Sequence, residues 1–239
     1  MSTFVLVHGA FRGAWAWEPV VRRLTAAGHR ALAPSLTGMG DRAHLRPDDL
    51  GLATWVDDVA GLVESRDLRD VVLVGHSQGG LVATAAATRL APRLAALVHL
   101  DAPLLTDGQR GVDGSGPLDE ARLPPRDTWI DPSPLDPTGW PPEVHRWAET
   151  RLCATPFAPS LDPVHLDRAA LSHVRELVVF CAGTPEGYPS TLARRRCDAE
   201  GRPYVLLDAP HDAPLTHPDE VTELLVHRSS EPPAGPAAG

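Results

Sequence analysis

The hexapeptide Gly75-His76-Ser77-Gln78-Gly79-Gly80 follows the apolar run Val71-Val72-Leu73-Val74 and opens a small-residue stretch from Leu81 to Leu90. This reads as strand, sharp turn, helix. The turn is tight enough that the residues two before and two after the serine nearly touch, so only glycine fits at 75 and 79. Strain at Ser77 then pushes its hydroxyl into the open above the end of the strand. A strand, sharp turn and helix in this order are the units from which an α/β fold is built.

The remaining sequence keeps that rhythm. Short apolar runs near residues 4–7, 30–33, 71–74, 95–100, 177–182 and 204–207 predict strands. Amphipathic or small-residue stretches near 17–27, 52–65, 81–90, 191–200 and 218–227 predict the helices between them. Strictly alternating strands and helices imply a doubly wound, mostly parallel sheet. One segment breaks the pattern. From about 103 to 172 the chain is rich in proline, carries Trp129, Trp140 and Trp147, and offers only a short helix near 143–150. Inserted after the fourth of these strands, it is expected to lie over the strand ends as a cap, its tryptophans lining a pocket or packing the cap onto the core. The Pro/Ala/Gly-rich tail, about 229–239, is expected to be disordered. The 239 residues suffice for one such domain, and no repeat or second domain is apparent.

A serine hydroxyl becomes a nucleophile only when a base takes its proton and donors receive the resulting oxyanion. The run Phe4-Val5-Leu6-Val7 leads directly into His8-Gly9-Ala10-Phe11. The backbone N–H groups of Ala10 and Gln78 are the expected oxyanion donors. His8 falls too early in the chain to be the base and is read as bracing its loop. The base is expected at His211, on the loop after the strand 204–207. His217, at the following helix start, reads as a surface or capping residue. Two acids compete to orient the histidine: Asp101, at the end of the strand 95–100, and Glu186, on the loop after the strand 177–182. The second place is the commoner one, yet that loop, Thr184-Pro185-Glu186-Gly187, has no aspartate, and Asp101 is preferred.

Composition removes several alternatives. The formal charge of −9 and the absence of a basic run argue against nucleic acid and anionic membranes. No stretch approaches the roughly 20 apolar residues of a membrane-crossing helix, and the first residues enter a strand at once, where a signal peptide is not expected. Three cysteines, Cys153, Cys181 and Cys197, show no metal spacing and suit a reducing cytoplasm. No cofactor or metal is expected. The chain has no lysine at all, which excludes Schiff-base chemistry and Ser–Lys dyads.

Taken together, Phe4-Val5-Leu6-Val7-His8-Gly9-Ala10, Gly13-Ala14-Trp15-Ala16-Trp17, Gly75-His76-Ser77-Gln78-Gly79-Gly80 and His211 resemble the α/β-hydrolase superfamily. They look closest to small bacterial hydrolases similar to plant methylesterases and hydroxynitrile lyases. The resemblance implies a nucleophile at Ser77, a base at His211 and an oxyanion hole at Ala10 and Gln78. Leu100-Asp101-Ala102 and Thr37-Gly38-Met39-Gly40-Asp41-Arg42 match further elements of the bacterial group. The expected activity is cleavage of a carboxylic ester or thioester with a small, apolar or aromatic acyl group. Epoxide and haloalkane chemistry would need a carboxylate at position 77, and cyanohydrin cleavage in the plant relatives uses a lysine. A non-hydrolytic step in natural-product biosynthesis and non-catalytic binding of a small molecule stay open, as does a homodimer.

Overall fold

In the computed structural model, which describes residues 1–230, six strands form one sheet and all of their pairings are parallel. In chain order the elements are β1 (Thr3–Val7), α1 (Glu18–Ala26), β2 (Arg30–Leu32), α2 (Leu52–Ser65), β3 (Val71–His76), α3 (Gly79–Leu90) and β4 (Leu94–Leu100). Then come β5 (Trp129–Ile130), α4 (Pro142–Glu149), β6 (Thr155–Pro156), β7 (Arg175–Cys181), α5 (Pro189–Glu200), β8 (Val205–Leu207), α6 (Ala213–Thr216) and α7 (Pro218–Ser230). The sheet runs β2-β1-β3-β4-β7-β8.

Alternation along the central strands builds two apolar layers. Phe4 and Leu6 of β1, Val72 and Val74 of β3, and Ala96 and Val98 of β4 face Val20 and Leu24 of α1 and Val221 and Leu225 of α7. The opposite face presents Val5, Val7, Leu73 and Leu97 to Leu52, Trp55, Val59 and Val63 of α2 and to Leu81, Val82 and Ala86 of α3. With both faces covered, the strands read as unbroken apolar runs, as parallel sheets do. Each large side chain so buried contributes about 1.5–3 kcal/mol relative to exposure.

Strand order decides where a site can form. From β1 the chain steps outward to β2, then returns to place β3 on the other side of β1. The direction of winding therefore reverses between β1 and β3. Connections leave these two strands toward opposite faces, opening a crevice at their carboxyl ends. Ala10 follows β1 and Ser77 follows β3, so both lie at that crevice.

The expected elements form with ends shifted by one to three residues. The antiparallel pair β5–β6 and the short α6 were not among the expected elements. Helix α7 continues to Ser230, and the rest of the tail for which disorder is expected lies outside the described residues. Among the described residues no helix is long and apolar enough to cross a membrane.

Candidate active site

β3 runs straight into the turn, and α3 begins two residues after Ser77. Ser77 has φ +54°, a left-handed backbone that costs a non-glycine residue about 1–3 kcal/mol. The turn leaves no room for side chains beside it. A Cβ on Gly75 would come 2.5 Å from the Gly79 carbonyl oxygen, and one on Gly79 would come 2.4 Å from that of Val7. Two hydrogen bonds hold the strain: the Ser77 N–H donates to Leu100 O (3.1 Å), and the Gly80 N–H donates to Ser77 O (2.9 Å).

Three of the expected side chains meet there. Ser77 Oγ lies 3.0 Å from His211 Nε2, and His211 Nδ1 lies 2.5 Å from Asp101 Oδ2. Asp101 is buried, also left-handed (φ +46°), and its carboxylate accepts from the Cys181 N–H (3.1 Å) and the Thr184 hydroxyl (2.5 Å). Burial alone would push this carboxyl up, but the hydrogen bonds from His211, Thr184 and Cys181 outweigh it and hold it below the usual carboxylate range. Glu186 takes no part. It is exposed and paired with Arg195 at 2.6 Å. The loop after β7 instead sends Thr184 to Asp101, a contact no sequence motif announced.

Ala10 and Gln78 flank the serine from two sides. A Cβ on Gly9 would come 2.9 Å from Ser77 Cβ, so the loop after β1 lies directly against the turn at Ser77. Among the described residues, neither the Ala10 N–H nor the Gln78 N–H is given to a protein acceptor. His8 braces this loop, as expected: Nδ1–H donates to Gly9 O (2.9 Å) and Nε2 accepts from the Leu36 N–H (3.1 Å). Complete burial lowers its pKa to about 4, so it stays neutral. The Thr37–Arg42 motif is a lock behind that loop, where Asp58 accepts from the Thr37 N–H (2.6 Å) and from Arg42 (2.6 Å).

Other contributors had no signal in the sequence. His76 Nε2–H donates to the carbonyl of His211 at 2.8 Å, and burial lowers the His76 pKa to about 4, with the His211 charge adding to the shift. Arg12 and Asp212 form a buried ion pair at 2.7 Å. These contacts cross 135 and 200 residues of chain, so neither spacing nor periodicity could reveal them. His217 sits apart, its Nδ1 bonded to the Thr216 hydroxyl.

Two cavities meet at Ser77, His211, Ala10 and Phe11. One, about 280 Å³, has Leu81, Val112, Ile130 and Phe157 among its walls. The other, about 430 Å³, includes Arg12, Asp136, Trp140, Tyr188 and Asp212. Residues between 103 and 172 wall both. Trp140 lines the larger cavity, Trp147 packs edge-on against Trp15 (5.4 Å between ring centroids), and Trp129 lies under the Arg46 guanidinium (4.1 Å). Among the described residues no group of three or more His, Cys, Asp or Glu is placed to hold a metal ion. The three cysteines are free thiols.

Comparison with known proteins places this geometry in a family. Residues 4–224 match the model described as "Alpha/beta hydrolase family". A carbendazim hydrolyzing esterase from Nocardioides sp. is 50% identical over 102 residues, which covers 43% of this chain and 42% of that protein. A putative chloroplastic methylesterase 13 from Arabidopsis thaliana is 26% identical over 253 residues, covering 96% of this chain and 56% of the relative. The chain thus spans about half the length of these relatives. Among solved structures, a pyrethroid hydrolase from Sphingobium faniae superposes with a TM-score of 0.77 at 22% identity, covering 97% of this chain and 98% of that one. At that identity the likeness speaks to the fold.

Proposed function

The chain belongs to the alpha/beta hydrolase family, and from that premise we propose that it is a serine esterase acting on small carboxylic esters or thioesters through an acyl-enzyme. The observation that carries this reading is the relay Ser77 Oγ–His211 Nε2–Asp101, at 3.0 Å and 2.5 Å, facing the open crevice. The esterase and methylesterase names of the relatives support it.

In this mechanism His211 Nε2 takes the Ser77 proton as Oγ attacks the carbonyl carbon. The oxyanion forms against the N–H groups of Ala10 and Gln78, donors already fixed before the charge develops. The imidazolium, stabilised by the Asp101 carboxylate, then protonates the departing alcohol or thiol. Water enters, His211 takes its proton, and the acyl group leaves as a carboxylic acid with Ser77 restored. The smaller, apolar cavity suits an apolar or aromatic arm, and the larger one, edged by Arg12, Asp136 and Asp212, suits a more polar arm.

Reaction with a serine-directed phosphonate tests the assignment. A stoichiometric adduct on Ser77 is expected, abolished in Ser77→Ala and slowed in His211→Ala. Ester turnover should fall by about 10⁵-fold or more in either variant, without adding in the double variant. An inert protein that still binds esters would make the site a receptor pocket. Turnover surviving in Ser77→Ala would remove the covalent step.

A further inference from the structure

The buried pair Arg12–Asp212 joins the two loops that carry different parts of the proposed chemistry. Arg12 lies two residues after Ala10, and Asp212 directly follows His211. One arm of the guanidinium, Nη1–H, donates to the carbonyl of Ala10 at 2.9 Å. The other, Nη2–H, donates to Asp212 Oδ2 at 2.7 Å. Both residues are buried at the edge of the larger cavity.

The consequence follows from peptide planarity. In a trans peptide the N–H points opposite to the C=O of the same unit. The Gly9–Ala10 unit has its carbonyl held by His8 Nδ1–H at 2.9 Å, which sets the direction of the Ala10 N–H. The next unit, Ala10–Phe11, has its carbonyl held by Arg12. The Ala10 N–H therefore cannot turn away without breaking the His8 bond, and the Arg12 bond fixes the plane on the other side of the Ala10 Cα, so that the loop cannot shift beneath that N–H. Such restraint is needed, because Phe11 sits in the left-handed region (φ +64°) and relaxes if released. On the other loop, His76 Nε2–H holds the carbonyl of His211 (2.8 Å) while Arg12 holds the next side chain. Arg12 thus hydrogen-bonds to both loops.

We propose that Arg12, clamped by Asp212, is a positioning residue: it holds the Ala10 N–H in register with the His211 imidazole, so that the oxyanion donor and the proton carrier keep one geometry through the reaction. The inference rests on the acyl-enzyme reading above. A planar fork with two donors at fixed angles does what a single ammonium point charge cannot. The role concerns charge that develops in the tetrahedral state, so it belongs to kcat rather than to binding of the ground-state ester.

The test compares the parent with Arg12→Met, Arg12→Lys, Asp212→Asn and the double variant Arg12→Met/Asp212→Leu, alongside Ser77→Ala. Each is assayed with a p-nitrophenyl ester and with a trifluoromethyl ketone, whose tetrahedral adduct needs the oxyanion donors. Arg12→Met should lose about 10- to 100-fold in kcat with KM within about twofold, and ketone affinity should fall by a similar factor. Arg12→Lys should recover the melting temperature but not kcat. The double variant leaves no unpaired buried charge, so it answers for a single variant that fails to fold; it should be as slow as Arg12→Met. Parent-like kcat and ketone affinity in the double variant, or a loss confined to KM, overturns the proposal. So does a melting temperature that drops while ketone affinity stays. Turnover persisting in Ser77→Ala would instead bring down the acyl-enzyme reading itself, and the two failures are told apart by that control.

Discussion

The strand ends and the segment between residues 103 and 172 share the same cavities but are built in opposite ways. At the strand ends, Ser77 and Asp101 sit in left-handed backbone, with buried hydrogen bonds from Cys181 and Thr184 on Asp101 and a bond from His76 holding the His211 carbonyl. The segment 103–172 is a succession of proline-rich turns, a two-residue strand pair and one eight-residue helix. Its ion pairs, such as Arg110–Glu120 and Arg126–Asp162, lie near the surface. Exposed pairs of that kind contribute about 0–1 kcal/mol. Under the proposed mechanism, the contrast puts the chemistry at the strand ends and leaves the fit of the substrate to the segment above them. Strain needs a rigid frame to hold it, whereas shape can vary wherever few buried bonds depend on it.

The sharpest way to break this division is at the acid. Asp101→Asn keeps the shape at the end of β4 but presents the wrong imidazole nitrogen to Ser77, so kcat should fall on the order of 10²–10⁴ with the melting temperature near the parent's. Glu186→Gln should stay within about twofold, since that side chain is exposed and pairs with Arg195 at the surface. Steady-state kinetics on both variants decide the matter; the reverse pattern would move the chemistry off the end of β4.

Acid stability provides a second effect, somewhat smaller for each group involved. Burial holds His8 and His76 at about 4 in the folded chain, against about 6.5 when unfolded. The unfolded chain therefore takes up protons that the native one refuses. Stability from these groups is complete above pH 6.5 and is lost as pH falls toward 4, by about 3 kcal/mol for each histidine. Asp101 and Asp212 are held below the usual carboxylate range, so their contribution is lost at lower pH still. Urea midpoints measured at pH 7 and 4.5 should show the drop, and high salt should change it little because both rings are buried. A drop that salt abolishes would place acid sensitivity in the surface pairs of the 103–172 segment.

The mildest prediction sharpens the role of that segment. Phe157→Ala removes a wall of the smaller cavity without touching Ser77 or His211. For an ester with an aromatic acyl group kcat/KM should fall about 10-fold, while an acetyl ester changes by less than about threefold. Equal losses on both substrates would mean that Phe157 supports the chemistry rather than the fit.

How much of this was legible in the sequence differs by kind of interaction. The turn at Gly75–Gly80 was readable because its demands are local: two glycines where no Cβ fits, an apolar strand before, small residues after. The parallel order followed from alternating elements, and His211 stood out by lying after the last strand of the sheet. Between Asp101 and Glu186 the sequence expressed only a preference, since both follow strands. The three-dimensional arrangement brings Asp101 to His211 because β4 and β7 are neighbours, and Asp101 continues that pairing by donating its own N–H to Val179 O at 2.7 Å. Glu186, farther along its loop, has already turned out to solvent.

The sequence by itself determined the sheet, the tight turn at Ser77 and the set of residues from which a site could be drawn, because periodicity and steric exclusion act between near neighbours along the chain. Only the tertiary structure decided which carboxylate meets the histidine, that Thr184 and His76 hold that pair in place, that Arg12 reaches Asp212 from 200 residues away, and how the proline-rich segment walls two cavities. Those contacts depend on strand order and on the directions in which loops leave the sheet, and no local pattern of residues encodes a direction.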